Sequence, residues 1–240
     1  SLPVRGRAGW AKPPAFFPIP IVPTPPDGVQ PVPKTVGYDA FRSEQPPYPY
    51  LSSRLGMGED QWFYHEIPTE LVMAYDLIAN SAALDELSQG KGKNVRKEIE
   101  DLFRATANFI RTFPRYLSNM EPTLIRGLIL VGRCIGEPEF VHDALTRARL
   151  TVEYHYFADG MWREGTPSYH DQTTGGLRYA LSYAKGYSDP PGFVGKEDGI
   201  RIEKFETSNA LPFLAKADEA VSKLRFPNGE YACVHDTWAA

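Results

Sequence analysis

The chain predicts an all-α fold. From about residue 60 onward, apolar side chains recur at three- and four-residue spacing. No run in that region alternates with the period of two that marks a half-buried strand. The periodic stretches are joined by short connections, as in stacked αα-hairpins. With 240 residues, 42% hydrophobic and 23% charged, the composition is that of an ordinary globular protein, long enough for one large core or two smaller ones.

Proline sets the first boundary. Thirteen of the 22 prolines fall in the first 50 residues, where they prevent helix propagation and favour extended or polyproline backbone. The same stretch carries Trp10, Phe16, Phe17, Ile19, Ile21, Tyr48 and Tyr50, more aromatic than a free linker. Residues 1–59 are therefore expected to form a Pro-rich extended arm packed on a body of residues 60–240, with a disordered leader as the alternative.

The helices of the body follow in order. Pro68 and Thr69 open a stretch containing Leu71, Val72, Tyr75, Leu77 and Ile78. Val95, Ile99, Leu102, Phe103, Thr106, Phe109 and Ile110 make a stripe of period 3.6, with Lys93, Arg96, Lys97, Glu100 and Arg104 on the other sides. Pro114 ends or kinks that helix. Glu121 and Pro122 suit the first turn of the next, which runs through Leu124, Leu128, Val131 and Ile135 to Gly136. Pro138 starts another, with Val141, Ala144, Leu145, Ala148 and Val152 inward, until Asp159-Gly160 breaks it. Two further helices are expected, from about Tyr169 to Lys185 and from Glu206 to Leu224.

Charge and motif content exclude several classes. A net charge of −4 argues against a generally basic nucleic-acid binder. No apolar run approaches the roughly 20 residues of a membrane-spanning helix. Cys134 and Cys233 are too few for a disulfide framework or a Cys-rich zinc module; they are two free thiols or one bridge. His142, His155 and His170 lack metal-ligand spacing, and there is no nucleophile elbow, phosphate-binding loop or dinucleotide fingerprint.

The densest polar and aromatic segment is Phe157-Ala-Asp-Gly-Met-Trp-Arg-Glu-Gly-Thr-Pro-Ser-Tyr-His170, placed between two helices where a scaffold can present a functional loop. Asp159, Arg163, Glu164, Tyr169 and His170 are its ionisable members. The plainer alternative is a loop with a Glu164–Arg163 network and Tyr169 packed at a helix start. Asn119 stands just before the helix at Glu121, where it could cap that helix, help receive an anion, or do both. His235-Asp236 is a weaker candidate for an oriented imidazole.

Asn119, the helix 121–135 and Asp159-Gly160-Met-Trp-Arg-Glu164-x-x-x-Ser168-Tyr169-His170 together resemble the heparinase II/III-like and related alginate-lyase group of polysaccharide lyases. Tyr75-Asp76-Leu77-Ile78 and Phe226-Pro-Asn-Gly-Glu-Tyr231…His235-Asp236-Thr237 are similar to the same toroid. The resemblance covers most of residues 60–240. It implies an incomplete α/α toroid of stacked hairpins and a periplasmic or secreted enzyme that cleaves a uronic-acid polysaccharide by β-elimination.

In that chemistry the C5 proton of a uronate is poorly acidic because the neighbouring carboxylate is already negative. Donors that neutralise the carboxylate stabilise the enolate-like transition state. By the resemblance Asn119 supplies such a donor and Tyr169 is the general acid or base, with His170 as its neighbour or complementary base. A phenol has an ordinary pKa of about 10 and needs cationic or hydrogen-bonding neighbours for that task. Glu164, Arg163, Trp162 and His235 are the expected substrate-side residues. Two departures stand out. Relatives carry a His beside the Asn where Met120 and Glu121 stand here, and they continue into further helices and a β-sandwich that are expected to be missing from this chain.

No metal and no cofactor is required. The expected partners are an acidic polysaccharide or oligosaccharide and the C-terminal remainder of a longer chain, with neither nucleic acid nor membrane. Six arginines between residues 121 and 180 are outnumbered by acids, so attraction must come from a few aimed groups. Two alternatives stay open. One is an α/α-toroid glycoside hydrolase using a carboxylate pair that includes Asp159 or Glu164. The other is a carbohydrate-binding helical-repeat module.

Overall fold

Helix boundaries follow from local chemistry. In the computed structural model, which describes residues 67–111, 119–235 and 237, α1 (Thr69–Ile78) begins straight after Pro68. Ser81 caps α2 (Ala82–Lys91) by accepting a hydrogen bond from the Ala83 amide, and Gly92 closes it in the left-handed conformation, φ 64°. Next come α3 (Val95–Arg111) and α4 (Glu121–Cys134), the latter with Pro122 in its first turn. Prolines also open α5 (Pro138–His155) and α6 (Pro167–Ser182), where the missing N–H costs nothing.

The helix expected over 206–224 is instead two, α7 (Thr207–Ala210) and α8 (Phe213–Ser222). Pro212, at the N-cap of α8, has no amide to continue the first of them. Among the described residues there is no strand, only isolated antiparallel bridges at Tyr156–Trp162 and Arg225–Tyr231. The chain is all-α. The arm proposed for residues 1–59 and the stop at Pro114 lie outside the described residues.

Side-chain contacts give the helix directions. Tyr75 of α1 meets Glu100 and Phe103 of α3, while Arg96 of α3 donates to the Ala79 carbonyl just past α1, so these two helices run antiparallel. Ile67 packs on Gly127 and the Cys134 thiol reaches the Val72 carbonyl, which makes α1 parallel to α4. Gly132 faces Phe140 and Val141, and Arg147 reaches back to Glu121, so α5 is antiparallel to α4. Arg104 pairs with Glu137 and the Ile110 carbonyl accepts from Arg147, aligning α3 with α5. Pro122 meets Gly176, Arg126 lies over Tyr179 and Arg133 donates to the Tyr183 carbonyl, so α6 is parallel to α4.

Helices α1, α4 and α6 thus share one direction, and α3 and α5 the other. α4 is the centre of the core, with Leu124, Ile125, Leu128 and Ile129 fully buried. The stripe read along α3 is largely inward, through Val95, Phe103, Thr106, Phe109 and Ile110. On α1, by contrast, only Thr69, Val72 and Tyr75 are buried; Leu71, Leu77 and Ile78 face outward.

Candidate functional site

The loop between α5 and α6 is a tight, internally bonded turn. Tyr156 leaves α5 in extended conformation and bridges Trp162. The Phe157 amide donates to the Met161 carbonyl at 2.8 Å and the Arg163 amide to the His155 carbonyl at 2.8 Å. At the tip, the Asp159 carboxylate accepts from the Met161 amide at 3.0 Å, a common Asp turn. Gly160 sits at φ 102° against α8, and a Cβ there would stand 2.6 Å from the Lys216 carbonyl oxygen. Only glycine fits that position.

Two of the expected site residues belong to the interior. Trp162 is fully buried, stacked on His155 with centroids 5.3 Å apart and edge-on to Tyr156 at 5.3 Å. It therefore does not face substrate. His170 is also fully buried: its Nδ1 accepts from the Trp162 amide at 3.0 Å, and its Nε2–H donates to the Ala217 carbonyl at 2.8 Å. Those bonds fix the tautomer and fasten the loop to α8. Burial, partly offset by the Ala217 carbonyl and nearby acids, keeps this imidazole below its ordinary range. His170 holds the site in place and has no ring nitrogen left for a substrate proton. His155 is kept neutral too, at about 4, by burial and then by the charge of Arg163.

The remaining expected residues lie at the surface of the same end. Arg163 and Glu164 are exposed on the loop. His235, also exposed, brings its ring to Gly165, where an added Cβ would be 3.5 Å from Nε2. The Arg225–Asp171 ion pair at 3.3 Å ties the C-terminal segment to the first turns of α6. Asp236 lies outside the described residues.

Asn119 precedes the N-cap of α4, which is Met120 and has no side-chain cap bond, so Asn119 is not the cap. The Met120 carbonyl instead receives the Thr123 amide at 3.0 Å and its hydroxyl at 2.9 Å. Half-buried Tyr169 stands seven residues before Gly176 on α6, hence two turns, about 10 Å, along the same face. Gly176 is where α6 meets Pro122. Tyr169 therefore lies at the end of α6 nearest the start of α4, the end at which Asn119 also lies. Its ring packs against the hydrophobic core, as the plainer alternative for this loop has it. Asn119, Tyr169, Glu164, Arg163 and His235 share one end of the helical layer.

A different polar cluster, absent from the sequence reading, occupies the other end. His142, near the start of α5, is buried between two carboxylates: Asp198 at 2.9 Å from Nδ1, and Asp189 at 3.0 and 3.1 Å from Nε2. Two carboxylate partners require both ring nitrogens to carry hydrogen, so this is an imidazolium. Burial pulls it toward neutrality, but the two acids outweigh burial and raise it. Asp189 also accepts from the Tyr187 hydroxyl and the Ile202 amide. Nothing local in the sequence pairs residues 47 and 56 positions apart.

Among the described residues no group of three or more His, Cys, Asp or Glu side chains is arranged to hold a metal ion, and both cysteines are free thiols. No described helix is long and apolar enough to cross a membrane. No protein-family model matches the chain, and comparison with curated proteins and with solved structures finds no similar one.

Proposed function

We propose that the chain carries the Tyr–Asn part of a β-eliminating polysaccharide-lyase site, built on part of an α/α toroid. The observation that supports this reading is that Asn119 and Tyr169 lie at the same end of α4 and α6, the end that also carries the exposed Arg163, Glu164 and His235. The parallel set α1, α4 and α6, backed by the oppositely directed α3 and α5, is compatible with a segment of such a toroid.

In the proposed reaction the Asn119 amide donates to the uronate carboxylate, so that negative charge developing at C5 is spread into a neutralised group. Tyr169, as phenolate, takes the C5 proton. The released electron pair forms the C4=C5 double bond as the C4–O bond breaks, and the phenol returns its proton to the leaving oxygen. His235 is the accessible imidazole of this end and a second candidate for proton transfer. His170 and Trp162 serve by holding the loop. Glu121 does not replace the family histidine, because its carboxylate is buried against Arg147.

For the hydrolase alternative, Asp159 already accepts a hydrogen bond within the loop's own turn, and Glu164 stands exposed on the same loop. The test is ultraviolet detection of the conjugated double bond on alginate, glucuronan, hyaluronan, chondroitin and heparan. A Tyr169→Phe variant is expected to lose about 10²-fold or more of the rate. New reducing ends without absorbance would replace elimination with hydrolysis. Retained sugar binding without either product would leave a binding module.

A further inference from the structure

We infer that the seam between α4 and α6 is an extended binding track for an acidic oligosaccharide, leading from Asn119 and Tyr169 down to Arg133 and Tyr183. The proposal rests on the reading above for its substrate class, while its residues lie outside the reacting end.

α4 is covered by α5 at Gly132, by the Ile67 and Val72 region at Gly127 and Cys134, and by α6 at Pro122. Among the described residues, with α3 also packed on α4, the positions of α4 that are half-buried or exposed include Thr123, Arg126, Leu130 and Arg133, at three- and four-residue spacing, with Leu130 against the core. Alongside, α6 and its C-cap present Gln172, Tyr179 and Tyr183. The two rows meet: the Arg126 guanidinium lies 5.6 Å over the Tyr179 ring, and Arg133 donates to the Tyr183 carbonyl. Tyr179 is 52% exposed and stands edge-to-face with Tyr183, their hydroxyls 2.7 Å apart.

This is a cationic row beside an aromatic row. Arginine matches a carboxylate with a planar pair of donors. An exposed phenol ring accepts the C–H face of a sugar while its hydroxyl bonds the sugar's oxygens. Among the described residues no acidic side chain pairs with Arg126, and its shielded Nε–H has no acceptor. Among the described residues, Glu70 contributes a little to the raised Tyr183 phenol, behind the Tyr179 hydrogen bond and burial. From Tyr169 to Tyr183 the track is about 21 Å long. It extends well past a single sugar and gives a net acidic chain the few aimed cations that a polyanion needs.

The experiment titrates mannuronate and glucuronate hexamers into the full 240-residue chain, with cellohexaose as the uncharged sugar and hexaglutamate as the acidic peptide. Arg126→Gln and Tyr179→Ala are each expected to weaken hexauronate binding about tenfold, Arg126→Lys by less, and rising salt to weaken it further. Arg149→Gln, outside the track, is the control that leaves binding unchanged. Amide shifts of the unaltered chain are expected to move along 119–133 and 172–183, a readout that needs no variant. Unchanged binding in Arg126→Gln and Tyr179→Ala, or hexaglutamate binding as tightly as the uronates, overturns the track. Arg126-dependent binding with no eliminative turnover supports the track and sinks the lyase; turnover indifferent to Arg126 does the reverse.

Discussion

At the scale of single residues, His170 and Gly160 govern how the loop is held. Replacing His170 by Phe leaves the Trp162 amide buried without its partner and takes from the Ala217 carbonyl the bond it accepts beyond its helical one. The expected cost is about 1–3 kcal/mol of unfolding free energy, read from urea denaturation, with partial recovery in His170→Gln. If His170 were instead a proton-transfer group, a variant that kept its stability would still shift the pH profile of turnover. Gly160→Ala must either displace the Lys216 carbonyl or distort a backbone held at φ 102°. A loss of about 1–3 kcal/mol is expected, seen as a lower urea midpoint.

At the scale of elements, the His142 imidazolium pins the connection between α6 and α7 onto α5. Its folded pKa is raised, so its contribution is complete below the ordinary histidine value of about 6.5 and is lost as pH rises through the folded value. Asp198 works in the opposite sense. Burial pushes it up, but the Ile200 amide and His142 prevail and hold it below the ordinary carboxylate range. Its contribution is complete above the ordinary carboxylate value and is lost as pH falls through the lowered folded value. The stability difference between the native chain and Asp198→Asn is therefore expected to be largest near pH 6 and to shrink toward pH 9, as measured by paired thermal melts. A difference that grows with pH would contradict the imidazolium. His155, held at about 4, imposes a separate slope: stability falls as pH drops from about 6.5 to about 4, because the unfolded chain binds that proton first. Gly195 belongs to the same clamp, since a Cβ there would come within 2.3 Å of both His142 Nδ1 and Asp198 Oδ1.

For the molecule as a whole, Arg147 links three helices from a fully buried position. It donates to Asp143 on α5 at 3.1 Å, to Glu121 on α4 at 3.4 Å, and to the Ile110 carbonyl on α3 at 3.1 Å. Such a group contributes little beyond what well-packed apolar residues would give, but removing it alone strands buried carboxylates. Arg147→Met is expected to cost about 3–5 kcal/mol in urea unfolding. Replacing Glu121, Asp143 and Arg147 together by apolar residues of similar volume should recover much of that loss. The same network sets the height of α4 against α5, and through Pro122 and Gly176 the height of Asn119 relative to Tyr169.

Apolar spacing, proline openings and glycine ends act within a few residues, so the sequence determined the all-α class and the start of most helices, but it did not show α2 or the break between α7 and α8. It placed the start of α4 at Glu121 and the close of the α5 region before Gly160. It also singled out the loop from Phe157 to His170. What it could not do was separate inside from outside for residues of mixed character. Trp162 and His170 carry polar atoms that suit a binding site, yet backbone partners and ring stacking satisfy them in the interior; only the approach of α8 and of His155 decides this. The His142–Asp189–Asp198 cluster likewise exists only once the α6–α7 connection folds back. Arg126 and Arg133, seven residues apart, share one face of α4, but the tyrosine row beside them belongs to another helix. Local spacing specifies elements, whereas burial and charge pairing depend on which elements meet.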